Sequence, residues 1–162
     1  MKSNHYTHSL YYKLLIGYLI FGLLGFITIA TISSEMTYHH LVERESEVLY
    51  DEATMIADRC SKAYEGKTIN LDSAYPQIEA VSAYLQSDIW ILNHEGTIVA
   101  DSSDSRTGIA IDDFDPTAQG NRLYSIGQYY NLFDSKVLSV SAPITGNMKT
   151  YGYIVIHMPI QN

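Results

Sequence analysis

Histidines are the side chains of this sequence best suited to metal binding or proton transfer. The sequence has six: His5, His8, His39, His40, His94 and His157. Only His5 and His8 are spaced to share one helical turn, and no Cys or acid lies near them, whereas a zinc site needs three or four ligands. For the adjacent pair His39 and His40 we weigh a response to pH or metal against simple interfacial polarity, which we favour. We predict no metal site and no cofactor.

The other reactive residue types also lack a catalytic pattern. Asp112, Asp113 and Asp115 are close together, but their spacing is not that of a calcium loop and is typical of a solvated loop. No serine lies in a nucleophile-elbow motif, and neither a phosphoacceptor-histidine motif nor a Gly-rich ATP-binding segment is found. Cys60 is the only cysteine, so an internal disulfide is excluded and a small buried side chain is expected. We predict no catalytic site in this chain.

An uncharged segment separates Lys13 from Glu35, and residues 14–32 are almost wholly apolar. A helix that rises about 1.5 Å per residue over this length matches a hydrocarbon core of roughly 30 Å. A cleaved signal peptide is the alternative, but its apolar core is usually only about 7–15 residues long. We therefore interpret residues 14–34 as a transmembrane helix.

The charges on either side of this helix predict its orientation. Lys2 and Lys13 are the only charges before it, whereas Glu35 and further acids follow it. The positive-inside rule then makes residues 1–13 a cytoplasmic tail and residues 35–162 an extracytoplasmic domain. That domain has eight Lys and Arg against eighteen Asp and Glu, a net charge near −10. This charge opposes binding to nucleic acid.

The pattern after the membrane helix changes from helical to strand-like, which predicts an α+β domain. No Pro or Gly interrupts the chain between residues 32 and 64, so we expect the membrane helix to continue into a long helix over residues 35–65. A second helix is predicted over residues 74–86, with Pro76 in its first turn. A roughly five-stranded antiparallel sheet over residues 88–158 should pack on these helices. Its predicted strands are 89–92, 97–101, 122–130, 136–142 and 151–158.

The long helix carries one stripe of apolar and small residues. Val42, Leu49, Ile56 and Ala63 recur every seven residues, and Ser46, Ala53 and Cys60 are interleaved with them on the same side. Such a stripe can cover the core of its own domain or form the seam of a dimer, and it is too short to distinguish the two.

Several short motifs in order resemble one known family. They are IWILNHEGTIVADSS from Ile89, a glycine at Gly108, then LSVSAPI and GYIVIHMPI. This succession resembles the extracytoplasmic sensor region of bacterial sensor histidine kinases, the single Cache or PAS-like domains. The resemblance implies a sensor in the bacterial cell membrane that acts as a homodimer in two-component signal transduction, with its signal passing through the helices.

The resemblance also implies where a ligand binds, between the sheet and the long loop after the second strand. In this sequence the pocket would draw on Trp90, Asp101, Arg106, Tyr124 and Tyr129, which suit a small organic ligand. A protein partner is the alternative signal. The family continues into a second membrane helix and a kinase, so we expect this chain to be the sensing end of a longer protein. A chemoreceptor, a cyclic-dinucleotide enzyme or a stand-alone anchored surface protein are the alternatives.

Overall fold

The computed structural model describes residues 5–62, 64–65, 68–69, 71–116 and 124–160. The chain divides into two compact units, Met1–Val42 and Glu43–Asn162. Part of the predicted cytoplasmic tail (residues 1–4) and the start of the predicted third strand (residues 122–123) lie outside the described residues.

The first unit is helical and presents its apolar side chains outward. Helix α1 spans His5–Lys62, and its apolar part is long enough to cross a membrane by length and composition. The hydroxyls of Thr28 and Thr31 donate to the carbonyls of Leu24 (2.8 Å) and Ile27 (2.9 Å), four residues earlier. Such bonds satisfy polar side chains within the helix itself, which is what a hydrocarbon environment requires.

The second unit is an α+β domain, which confirms the predicted fold class. Helix α2 spans Leu71–Leu85, and because it begins three residues earlier than predicted, Pro76 lies inside it rather than in its first turn. A small hairpin that the sequence did not predict consists of β1 (Tyr64–Glu65) and β2 (Thr68–Ile69). The main sheet contains β3 (Asp88–Asn93), β4 (Ile98–Asp101), β5 (Tyr124–Gly127), β6 (Val137–Gly146) and β7 (Lys149–Pro159).

The five strands pair antiparallel in the order β4-β3-β7-β6-β5. Both faces of the sheet are covered, since Ile89, Trp90, Ile91 and Leu92 are all fully buried in β3. This explains why β3 reads as a continuous apolar run rather than an alternating one. The order along the sequence differs from the order in the sheet, because the last strand, β7, lies at the centre between β3 and β6.

Residues paired directly across an antiparallel ladder project to the same face. Trp90 pairs with Asp101 and with Val155, so all three lie on one face, which we call the loop face. Its core contains Ile98 from β4 together with Ile111, Tyr129 and other loop side chains, and none of its described members comes from a helix. Ile89, Ile91 and Ile156 are fully buried on the other face. The buried helix residues Leu49, Ile56 and Ile78 do not belong to the loop-face core, so the helices are assigned to that other face.

The predicted stripe of α1 is buried within the single chain. Leu49, Ala53, Ile56 and Cys60 are at most 2% exposed, and Val42 is buried as well. Such burial fits the first of the two predicted uses, covering the core of their own domain. Ala63 lies outside the described residues.

Candidate ligand-binding site

The buried carboxylate of Asp101, at the end of β4, organises the loop that follows it. Its Oδ1 accepts the backbone N–H of Ser103 (2.9 Å), and its Oδ2 accepts the backbone N–H of Arg106 (3.0 Å). The hydroxyls of Ser103 and Ser105 donate to the same carboxylate. An Asp followed by serines favours such local bonds. Both oxygens are thus used within the chain, and Asp101 positions the loop rather than facing a ligand.

This loop places the guanidinium of Arg106 against two aromatic rings. The Cζ atom lies 5.5 Å from the centroid of Trp90 and 4.8 Å from that of Phe133, which are cation–π distances. Its Nη2 donates to the carbonyl of Leu132 (3.3 Å), and its Nη1 lies 4.0 Å from a carboxylate oxygen of Asp88. Burial, and secondarily the charge of Asp101, raises the pKa of Asp88, while Arg106 lowers it. The site therefore holds a cation at the edge of an aromatic surface.

Four rings form what we call the aromatic cluster: Trp90, Tyr129, Phe133 and His157. Phe133 stacks on Trp90 with centroids 5.2 Å apart and planes 9° apart, and Tyr129 meets Trp90 edge-on at 5.9 Å. His157 lies 4.1, 4.4 and 4.9 Å from the rings of Trp90, Tyr129 and Phe133. The sheet brings Trp90 and His157 together, since His157 pairs with Asp88, two residues before Trp90 on the same face.

Two buried nitrogens of this cluster have no hydrogen-bond partner among the described residues: Nε1 of Trp90 and Nε2 of His157. The other ring nitrogen of His157, Nδ1, is 2.8 Å from the hydroxyl of Ser139. Burial, with a smaller contribution from Arg106, lowers the pKa of His157 well below its ordinary value, so the ring is neutral at pH 7. A buried unpaired polar group costs about 1–3 kcal/mol. Such groups are rare in folded proteins and mark candidate sites.

The turn that follows β5 brings two of the rings onto the loop face. Three successive residues, Tyr129, Tyr130 and Asn131, have positive φ values of 35°, 51° and 60°. The left-handed conformation costs a residue other than glycine roughly 1–2 kcal/mol. Backbone bonds from Leu132 to Tyr129 (3.1 Å) and from Phe133 to Gln128 (3.2 Å) close the turn. The third strand therefore ends at Gly127 and not at residue 130 as predicted.

Four of the five predicted pocket residues, Trp90, Asp101, Arg106 and Tyr129, are brought together on the loop face. Tyr124 is not, because it pairs with Val140 and thus projects to the helix-covered face. Two members of the cluster were not predicted to belong to the site. His157 was visible as a polar residue in an apolar strand, whereas Phe133 lies in an irregular turn for which no periodicity gives a signal.

The acidic residues of the loop after β4 were the remaining candidates for a cation site. The side chains of Asp112, Asp113 and Asp115 are exposed. Within the described residues no group of three or more His, Cys, Asp or Glu is placed to hold a metal ion.

No family model and no curated protein matches this sequence. Among solved structures, the sensor domain of the V. cholerae histidine kinase DctB matches at 15% identity and a TM-score of 0.41. The match covers 55% of this chain and 37% of the DctB chain. The ligand-binding domain of the Campylobacter jejuni chemoreceptor Tlp3 in complex with 4-methylisoleucine matches at 11% identity and a TM-score of 0.46. The same domain in complex with L-valine matches at 12% identity and a TM-score of 0.46.

Each Tlp3 match covers 74% of this chain, and 55% or 56% of the chemoreceptor domain. The chain thus spans little more than half of these domains and about a third of the DctB domain. All three matches are to sensor or ligand-binding domains. With identities of at most 15% and TM-scores below 0.5, no ligand, output or partner of this chain follows from them.

Proposed function

We propose that this chain is a membrane-anchored extracytoplasmic sensor domain of a two-component histidine kinase, and that it binds a small ligand on the loop face of its sheet. One observation carries the binding proposal: the Arg106 cation borders an aromatic cluster with two buried, unpartnered nitrogens. A cation and unused hydrogen-bonding groups beside aromatic walls suit recognition of a small organic molecule.

The proposed membrane topology rests on hydropathy and charge. The apolar part of α1 presents exposed side chains, such as Phe21 and Phe26, over the length of a bilayer core. With Lys2 and Lys13 before it and acids after it, the N-terminus is cytoplasmic and the sheet extracytoplasmic. Attaching a reporter that is active only in the cytoplasm to either end of the chain tests this: activity from the C-terminal fusion would contradict it.

The proposed homodimer uses a face of α1 other than the buried stripe. Val48 and Met55, seven residues apart, are 51% and 44% exposed and remain free for a second copy. Val48→Cys in a Cys60→Ser background should crosslink in membranes, whereas the native thiol of Cys60, which is buried, should not. Crosslinking at Cys60 alone would contradict this assignment of the two faces.

Ligand binding is tested with the full chain in detergent micelles. A thermal-shift screen of small metabolites should return at least one compound that raises the unfolding temperature by mass action. Arg106→Met should abolish that shift, and Arg44→Met, which removes an exposed arginine from α1, should leave it unchanged. Uniformly flat shifts, or equal shifts in both variants, would contradict a binding site at Arg106.

The kinase output is a separate proposal with a separate test. The reading frame that follows the codon for Asn162 is expected to encode a second membrane helix, a phosphoacceptor histidine and an ATP-binding domain. A methyl-accepting signalling region or a cyclic-dinucleotide enzyme at that place would support the alternative outputs. An immediate stop codon would support an anchored surface protein.

A further inference from the structure

The ring of Phe133 occupies a slot between an aromatic wall and a cation. It stacks on Trp90 with planes 9° apart, lies 4.8 Å from Cζ of Arg106, and lies 4.9 Å from the ring of His157. Trp90 and His157 come from central strands of the sheet, whereas Phe133 comes from a turn and is only partly buried. The slot is therefore built by the sheet and the loop after β4, and its occupant is delivered by a separate segment.

The segment that delivers Phe133 is held by few bonds to the rest of the domain. Three hydrogen bonds lie within residues 128–134: those from the backbone N–H groups of Leu132 and Phe133, and that from the side-chain amide of Gln128 to the carbonyl of Asp134. The bonds outward run from Arg106 to the carbonyl of Leu132 and between the Tyr130 hydroxyl and the backbone of Asp115. Three successive left-handed residues make this conformation costly to maintain. A competing occupant of the slot would thus displace Phe133 without breaking the sheet.

The groups around the slot suit a planar ligand with several hydrogen-bond acceptors. Trp90 Nε1 can only donate a hydrogen bond, and Arg106 has only donors. The guanidinium now donates to two neutral acceptors, the carbonyl of Leu132 (3.3 Å) and the hydroxyl of Ser105 (3.1 Å), and its contact with the carboxylate of Asp88 is long at 4.0 Å. A ligand carboxylate would form a shorter, charge-assisted and bidentate pair with the same guanidinium. A planar ring would keep the stacking on Trp90 that Phe133 now supplies.

We infer that the ligand is a planar aromatic carboxylate that displaces Phe133, with its ring stacked on Trp90 and its carboxylate paired with Arg106 in place of the Leu132 carbonyl. This inference rests on the binding site proposed above and adds the chemical class of the ligand. Phe133 is then an internal competitor that keeps the slot filled until the ligand arrives.

Trp90 is the only tryptophan of the chain, so its fluorescence reports on the slot directly. The full chain in detergent micelles is titrated with benzoate, with cyclohexanecarboxylate (same charge, no planar ring) and with benzyl alcohol (same ring, no charge). We expect benzoate to change the Trp90 emission saturably and to bind at least about tenfold more tightly than either control, because each control loses one of the two interactions.

Two variants test the displacement itself. Phe133→Ala removes the internal competitor, so its benzoate dissociation constant should fall about tenfold relative to the wild type, because the open state no longer has to be populated first. Phe114→Ala is the matched control: Phe114 packs against the same core but contacts Tyr130 and Tyr153 instead of Trp90. Its benzoate affinity should equal that of the wild type.

Each other outcome overturns a defined part of the inference. Equal binding of cyclohexanecarboxylate and benzoate would refute the aromatic requirement and leave the binding site in place. Unchanged benzoate affinity in Phe133→Ala would refute displacement. If the metabolite screen shows a ligand that depends on Arg106 while benzoate leaves the Trp90 emission unchanged, the ligand class is wrong and the proposed site stands. If nothing binds in either experiment, both proposals fail.

Discussion

The substitution Asp101→Asn should destabilise the domain strongly although it changes no side-chain volume. The two carboxylate oxygens accept two backbone N–H groups, that of Ser103 at Oδ1 and that of Arg106 at Oδ2. In either orientation of the asparagine side chain, its NH2 group faces one of these two backbone N–H groups. One charge-assisted hydrogen bond is then lost and one backbone N–H is left unsatisfied beside a fully buried side chain. Together these cost about 3 kcal/mol or more.

Urea unfolding of the full chain in micelles, followed through the fluorescence of Trp90, measures this loss directly, since Trp90 is paired with Asp101 in the sheet. Asp104→Asn is the matched control, because the exposed Asp104 side chain receives only a long bond (3.4 Å) from Thr107. It should change the free energy of unfolding by less than about 0.5 kcal/mol. A loss below about 1 kcal/mol for Asp101→Asn would show that the carboxylate does not organise the loop as argued.

Two further predictions follow from the centre of the sheet. Gly152→Ala should lower the free energy of unfolding by several kcal/mol, because the added Cβ would clash with the carbonyl oxygen of Leu92 between β7 and β3. Gly127→Ala is the control: no atom lies near an added Cβ there, so the same urea assay should show almost no change. The pKa of His157 is lowered in the folded state, so this residue takes up a proton more readily when the chain is unfolded. The free energy of unfolding is therefore at its full value above about pH 6.5. It falls as the pH drops below that value, by up to about 1.4 kcal/mol per pH unit. Urea midpoints measured between pH 7 and pH 5 should show this fall of stability with pH. The fall should disappear in His157→Phe and persist when the exposed His94 is replaced by Ala. If His157→Phe keeps the same pH dependence, another group is responsible for it.

The sequence was sufficient to predict the elements whose stability is local. The run from Ile89 to Leu92 and the turn at Gly96 predicted the first hairpin of the sheet, because apolar β-branched residues and a glycine with positive φ (87°) specify them without distant contacts. The grouping of Trp90, Asp101 and Arg106 came from the resemblance to the sensor family, and in the structure one short hairpin and its loop carry all three.

The rest of the site depends on contacts that no local pattern encodes. Tyr124 lies in a four-residue strand, and its face is decided by its register against β6, since a shift of one residue would exchange it with Ser125. The left-handed turn at Tyr129–Asn131 runs against the preference of Tyr129 and Tyr130, and the packing of Tyr129 and Phe133 on Trp90 and His157 maintains it. Such a turn cannot be read from propensities, because tertiary packing overrides them.

The separation of loops and helices on opposite faces of the sheet has a consequence for how such a domain can change over time. Arg106, which we propose pairs with the ligand, and Phe133, which we propose the ligand displaces, are both contributed by segments outside the strands, whereas the buried residues of α1 serve the other face. Substitutions in the two loops can therefore alter what is recognised while the helix packing is preserved. A lineage can acquire new specificities by exchanging loops 102–106 and 128–134 alone, and a protein engineer can graft them in the same way.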